Sequence, residues 1–270
     1  MIDEFGLKKS CHDCLLTFDN VGVSLMVPSP IQNDQHAEGL VMNKISDMSG
    51  LEVSNWTCPD PKDDEILLET HVCALNFADL LMCQGRYQVR PEPPFSPGLE
   101  VVGRVMRGPS HLIGKRVVGL VDYGGLATHG IFPAHHFVPI PDAVSDEAAV
   151  CLPVGYGTSE ASLFYIARAQ PHHVVLIHGA SSGVGRTAAE LAKASGMRVI
   201  VSASSQKRAD MFMDLGFEEV VLLTDSFRED VERLVGRRGI DIVYDAIGGS
   251  WAHINVSLLK FGGQYLVIGF

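Results

Sequence analysis

Between Asp142 and the end of the 270-residue chain, apolar runs alternate with amphipathic patterns, and this rhythm constrains the fold most. The runs are VVLIHGA (174–180), RVIVSAS (198–204), EEVVLL (218–223), IDIVYDAI (240–247) and GQYLVIGF (263–270). They are short, rich in Val and Ile, and apolar on both sides of the period-two alternation, as strands buried on both faces must be. Between them lie GVGRTAAELAKAS (183–195), QKRADMFMDL (206–215), SFREDVERLV (226–235) and SWAHINVSLLK (250–260), each patterned for a helix. Strand and helix in strict alternation predict a doubly wound α/β domain with a parallel sheet.

The first strand-to-helix junction reads Gly179-Ala180-Ser181-Ser182-Gly183-Val184-Gly185. Only small side chains there let a backbone approach a pyrophosphate, and the free N–H groups and dipole of a helix N-terminus favour its charge. Ala180, Ser181, Ser182, Gly183, Val184 and Gly185 are expected to hold a dinucleotide, with Gly185 letting the helix pack on the first strand and Gly196 ending that helix. Small residues in a plain turn are the bland alternative; five β/α units in order argue against it. After the second strand an NAD site usually offers a carboxylate to the ribose. Here the text is SASSQKRAD, with Ser204, Lys207 and Arg208 and no acid before Asp210. Hydroxyl and cationic donors suit a 2′-phosphate, so NADPH is expected rather than NADH.

The preceding half has another character. EILLETHVCAL (65–75), EVVGRVMR (100–107), KRVVGLVDY (115–123) and HHFVPIP (135–141) read as short strands cut by Gly and Pro, and the four prolines of RPEPPFSPG (90–98) mark a loop. A compact, barrel-like β domain is predicted, followed by a helix over SDEAAVCL with Ser145 as its N-cap. The expected division is 1–37 unassigned, 38–157 the β domain and 158–270 the doubly wound domain.

Lys plus Arg number 21 against 32 Asp plus Glu, a formal charge of −11 without a basic tract, which argues against a nucleic-acid partner. No apolar run reaches the ~18 residues of a membrane span, and Met-Ile-Asp-Glu-Phe is not a signal sequence, so the cytoplasm is the expected setting. Six scattered cysteines form no disulfide framework. Cys11 and Cys14 make a lone CxxC, a weak metal or redox signal in an otherwise unremarkable segment.

The spacing of the glycines is shared with short-chain dehydrogenases. That family needs a Tyr-x-x-x-Lys further on, and neither Tyr244 nor Tyr265 has a Lys four residues later. NFADLLMCQGRYQ (76–88), PPFSPGLEVVGRV (93–105), LPVGYGTSEASL (152–163), HGASSGVG (178–185) and VYDAIGGS (243–250) instead resemble the quinone oxidoreductase branch of the medium-chain dehydrogenase/reductase superfamily, which includes zeta-crystallin and the quinone oxidoreductase-like proteins. The resemblance, from about Gly39 to Phe270, implies a GroES-like β-barrel domain followed by a Rossmann domain, with NADPH in the cleft between them. It also implies a zinc-independent reductase that passes a hydride to quinones or α,β-unsaturated carbonyls. Asn76 corresponds to an amide near nicotinamide and substrate, Tyr87 to a pocket tyrosine that donates to the acceptor oxygen, and Thr158 to a threonine near the carboxamide. Gly248, Gly249, Gly269 and Phe270 fall along the nicotinamide side. The bland readings are that Asn76 ties down a turn and that Tyr87 only packs.

Zinc-dependent members place ligands where this chain has Asn76, Leu99 and Pro153, so no metal site is expected. The pairs His135-His136 and His172-His173 are expected to point apart, as neighbours on a strand do. Ser182, Glu160 and Phe227 depart from residues common in relatives: a glycine, an aromatic residue and a tyrosine near the adenosine phosphate. The relatives also continue beyond the fifth strand with a cofactor loop and a sixth strand through which they dimerise. The expectation is therefore a sheet incomplete at its C-terminal edge, with an apolar edge exposed and the usual homodimer surface missing. A non-catalytic NADPH-binding protein is the alternative reading.

Overall fold

The computed structural model describes residues 15–17 and 35–269. Cys11, Cys14 and Phe270 lie outside the described residues. The chain forms two compact units, the first ending at Pro153 and the second beginning at Val154, four residues before the boundary expected from the sequence.

The first unit is antiparallel. β1 (Leu15–Thr17), β4 (Glu65–Ala74), β5 (Glu100–Arg107), β6 (Arg116–Leu120) and β8 (Phe137–Pro139) adjoin in that order, and β7 (His129–Pro133) also pairs with β4. β2 (Gln35–Met42) and β3 (Leu51–Cys58) form a separate hairpin, bridged to the loops of the larger sheet at Ala127 and Phe95. β2 thus begins inside the segment left unassigned from sequence. Side chains alternate across the main sheet as the pleat requires. Ile66, Leu68, Val101, Val105 and Val117 pack with Phe132 and Phe137 on one face. Val72, Ala74 and Val102 pack on the other against Ala149 and Val150 of α2 (Asp146–Val150). The Ser145 hydroxyl accepts the Ala148 N–H at 3.2 Å, the expected cap. A second helix, α1 (Phe77–Cys83), follows β4.

In the second unit a five-stranded parallel sheet runs β11 (Glu219–Leu222), β10 (Arg198–Ala203), β9 (Val174–His178), β12 (Ile240–Asp245), β13 (Leu259–Val267). The chain winds outward from β9 to β11, then returns to start again beside β9 at β12. This is the predicted doubly wound order. Val175 and Ile177 of β9 face Ala188, Ala189 and Ala192 of α4 (Gly183–Ala194) and Phe212 of α5 (Gln206–Asp214). Val174 and Leu176 face Phe227, Val231 and Val235 of α6 (Phe227–Val235). Both faces are covered, which explains the unbroken apolar runs.

Two expectations are corrected here. The helix expected over 250–260 is α7 (Trp251–Ser257); Leu259 already pairs with Ile240, and the chain reaches the next pairing, Ile242 with Gln264, through a bulge. Gly262 supplies the left-handed backbone, φ 76°, within it. The sheet edge is therefore longer than expected, and Phe261 and Val267 on it are exposed. The histidine pairs do not point apart. They sit in turns, and their rings meet edge to face at 4.5 Å (His135-His136) and 4.6 Å (His172-His173). Among the described residues no helix is long and apolar enough to cross a membrane.

Candidate functional site

In the second unit the predicted cofactor residues gather at the carboxyl ends of the parallel strands. β9 ends at His178 and turns at Gly179, whose φ of 92° suits glycine. Ser182 is the N-cap of α4: its hydroxyl donates to the Gly179 carbonyl at 2.8 Å and accepts from the Gly185 N–H at 3.1 Å. Serine in place of the relatives' glycine thus stiffens the turn. Ala180 and Gly185 are buried, Ser181 and Val184 are half-buried, and Ser182 and Gly183 are exposed at the helix mouth. α4 ends as predicted, with Gly196 at φ 78° and the Met197 N–H on the Ala192 carbonyl.

Beyond β10, Ser205 caps α5, accepting the Arg208 N–H at 3.4 Å. The Arg208 guanidinium donates to Ser204 Oγ at 3.0 Å. Ser204, Lys207 and Arg208 are all exposed, so two cations and a hydroxyl meet water at the end of β10. Beyond β12 comes the loop with Gly248 and Gly249, both in left-handed backbone, φ 68° and 67°. A Cβ on Gly179 would lie 3.0 Å from Ile247 Cγ1, so the loops after β9 and β12 adjoin. That junction is the point where the strand order reverses, the usual ligand crevice of such sheets. Gly269 follows the end of β13, with Ile268 N–H bonded to the Asp245 carbonyl at 2.8 Å. Phe227 is fully buried and packs on Trp251 and His178, a core position.

Residues beyond those expected at the site also hold these loops. Asp245, 2 % exposed, accepts from the N–H groups of Ile247 and Gly248, each at 2.8 Å, from Asn255 Nδ2 at 3.2 Å and from the Tyr265 hydroxyl. Burial opposes its charge, but these donors outweigh it and hold the carboxyl below its ordinary range. Thr158 is half-buried on α3 (Gly157–Glu160), a short α segment between π-helical turns at Leu152–Tyr156 and Ala161–Ile166. Its neighbour Ser159 locks α3 in place: the hydroxyl donates to the Val184 carbonyl at 2.9 Å and lies 2.8 Å from Thr187 Oγ1 and 3.3 Å from the Tyr244 hydroxyl. Behind the Gly179–Gly185 turn, Ser202 Oγ takes the Gly179 N–H at 3.4 Å and meets His178 Nδ1 at 3.1 Å. Burial pushes the His178 pKa down, which favours the neutral imidazole.

In the first unit Asn76 is the N-cap of α1. Its main-chain N–H is taken by Asp79 Oδ2 at 2.8 Å, and its Nδ2 donates to Glu100 Oε1 at 2.9 Å. Asp79 Oδ1 accepts the Gly98 N–H at 2.9 Å. Asp79 and Glu100 are 1 % and 3 % exposed. Burial raises Asp79 to about 6 against the lowering effect of its backbone donors; burial, Asp79 and Glu100 together push the Cys73 thiol well up, which makes it inert as a nucleophile. Tyr87 is half-buried beyond the other end of α1, against a cluster of Met42, Met82, Cys83, Phe95 and Leu99.

Family models match both halves: "Alcohol dehydrogenase GroES-like domain" over residues 62–142 and "Zinc-binding dehydrogenase" over 183–270. The chain is 34 % identical over 212 residues to the bovine (Bos taurus) quinone oxidoreductase-like protein 2, an alignment covering 76 % of this chain and 61 % of the relative. It is 27 % identical over 222 residues to the pig (Sus scrofa) quinone oxidoreductase, covering 80 % and 68 %. The quinone oxidoreductase of Thermus thermophilus, solved with and without NADPH, superposes with a TM-score of 0.75 at 29 % identity, over 86 % of this chain and 80 % of that one. The chain belongs to the quinone oxidoreductase branch of the medium-chain dehydrogenase/reductase superfamily. A Mycobacterium abscessus probable oxidoreductase has the same fold, with a TM-score of 0.82 at 26 % identity and coverage of 87 % and 76 %. The chain spans about three fifths of the length of its quinone oxidoreductase-like relatives.

Some members of this superfamily bind zinc, and the residues present here have other chemistry. Asn76 has its amide nitrogen committed to Glu100, Leu99 is a buried hydrocarbon, and Pro153 has no donor atom in its side chain. These residues do not fit a zinc ion, and among the described residues no group of three or more His, Cys, Asp or Glu could hold a metal.

Proposed function

We propose that the chain is a zinc-independent, NADPH-dependent reductase of quinones or α,β-unsaturated carbonyl compounds. The observation that carries this reading is the meeting of the Gly179–Gly185 turn with the Ala246–Gly249 loop at the reversal of strand order, next to a β10 terminus bearing Ser204, Lys207 and Arg208 without a carboxylate. The N–H groups at the head of α4 would hold the pyrophosphate, and Ser204, Lys207 and Arg208 the 2′-phosphate. Thr158, Gly248, Gly249, Gly269 and Phe270 would border the nicotinamide, which when bound supplies a hydride. Asn76 and Tyr87 would donate hydrogen bonds to the acceptor oxygen as it gains negative charge. With no Lewis acid in the donor set, reduction of a conjugated acceptor is favoured over oxidation of an alcohol, because conjugation spreads the charge that a metal would otherwise hold.

The test is NADPH oxidation, followed by the loss of nicotinamide absorbance, with a small quinone and with an enone, run beside NADH and beside direct measurement of cofactor binding. Turnover that prefers NADPH supports the reading. Tight NADPH binding without turnover of either acceptor class supports the non-catalytic alternative, and no affinity for either dinucleotide removes both.

A further inference from the structure

We infer that Glu100 is a positioning residue: its carboxylate holds the Asn76 side-chain amide in one orientation and leaves a single amide N–H to meet the oxygen of the hydride acceptor. The inference rests on the proposed reading for the acceptor oxygen beside Asn76, and on the structure for the Glu100–Asn76 contact. Glu100 is the first residue of β5 and is 3 % exposed; Asn76 stands 24 positions earlier, and the two meet through Nδ2 and Oε1 at 2.9 Å. A carboxylate accepts hydrogen bonds and an amide offers both a donor and an acceptor end. Only the NH2 end can face Glu100, so chemistry assigns the amide independently of the placement of its oxygen and nitrogen atoms.

The rest of Asn76 is immobilised as well. Its backbone is extended, φ −117° and ψ 159°, its N–H is taken by Asp79 Oδ2 and its carbonyl by the Asp79 N–H at 3.0 Å. Asp79 is fixed in turn by the Gly98 N–H, two residues before Glu100. The amide oxygen takes the capping-box position over the first turn of α1. Of the two hydrogens on Nδ2, one goes to Glu100, and the other has no partner among the described residues. A rigid, half-buried donor with one free hydrogen is what stabilisation of a developing oxyanion requires, because no reorganisation is left to make in the transition state.

Glu100→Gln keeps the shape but can present either end of its own amide, so Asn76 is no longer held in one orientation. We expect kcat with a small quinone to fall about ten-fold while NADPH affinity stays the same. In an Asn76→Ala background the same substitution should cost nothing more, because the group it positions is gone; additive losses, or an unchanged kcat in Glu100→Gln, would overturn the role. A second measurement needs neither turnover nor a variant at Glu100. In 15N-labelled wild-type protein, with the Asn76 side-chain signal identified by its loss in Asn76→Ala, the NH2 hydrogen that faces Glu100 should lie well downfield of its position in an unfolded chain and exchange slowly with water, and its twin should do neither. Two hydrogens at their unfolded-chain positions, both exchanging rapidly, would overturn the inference even in a fully active enzyme. If no acceptor is reduced but the shifted, slowly exchanging hydrogen is seen, the proposed reaction fails while the Glu100–Asn76 geometry stands.

Discussion

A Cβ built on Gly185 would stand 2.2 Å from the carbonyl oxygen of Gly179 and 2.9 Å from Ala180 Cα. The first turn of α4 therefore rests directly on the end of β9, backbone against backbone. Neither atom is the tip of a flexible side chain, so a methyl group there must displace the helix. Gly185→Ala is expected to destabilise the protein by about 3 kcal/mol and to abolish dinucleotide binding, read by thermal unfolding and by quenching of intrinsic fluorescence. Gly236→Ala makes a useful control: it has open space around it but a left-handed φ of 57°, and it should cost stability without touching cofactor affinity.

Lys207 and Arg208 stand at the start of α5, where cations oppose the helix dipole. Among the described residues their side chains make only the exposed Arg208–Ser204 contact, whereas the proposed 2′-phosphate would gain two cations. Replacing both with Gln should weaken NADPH binding by roughly ten-fold or more and leave NADH binding nearly unchanged. Isothermal titration with each dinucleotide decides it: equal losses would mean that the two side chains do not reach the 2′ position.

The doubly wound half was legible because unbroken apolar runs, buried on both faces, alternate with amphipathic patterns long enough to read as helices. The turn after β9 was legible because glycines there answer a steric demand, as Gly179 and Gly185 show. α1 was not, since seven residues, Phe77–Cys83, give fewer than two helical turns and no sustained pattern. Neither was the start of β13, because Leu258 and Leu259 suit a buried helix end and a strand equally, and only the bulge at Gly262 shows which ladder they join. The buried carboxylates escaped for another reason. Asp79 and Glu100 are far apart in sequence and meet only when α1 docks beside β5, and a lone acid in a sequence looks like surface. The Ser159–Thr187–Tyr244 cluster was hidden in the same way.

Tyr265 on β13 donates to the Asp245 carboxylate that also gathers the N–H groups of Ile247 and Gly248. Burial and this contact push the tyrosine hydroxyl up to about 12, so it is a donor throughout the working range. Tyr265→Phe should cost about 2 kcal/mol at neutral pH. Asp245 is held below its ordinary value, so the stability it contributes is complete above about pH 4 and is lost as pH falls through the folded pKa. The gap between wild type and Tyr265→Phe in chemical denaturation should therefore close in acid. A gap of constant size from neutral pH down to strong acid would mean that the hydroxyl acts only through packing.

Asp79 has the opposite sign. Its folded pKa is raised from 3.8 to about 6, with burial as the main cause, so the folded state holds the proton more tightly than the unfolded chain does. Stability from this group is fully present below about pH 4 and declines as pH rises through about 6, by about 3 kcal/mol in all. Asp79→Asn removes the titration but offers only one acceptor to the N–H groups of Asn76 and Gly98, whereas the carboxyl group, protonated or not, turns an oxygen to each. The variant should therefore be less stable than wild type at the acid end of that window, with the deficit shrinking as pH rises across it. Urea denaturation of both proteins over the same window measures the difference free of every other titrating group, and a deficit that grows with pH would show that the carboxyl ionises more readily in the folded protein than outside it.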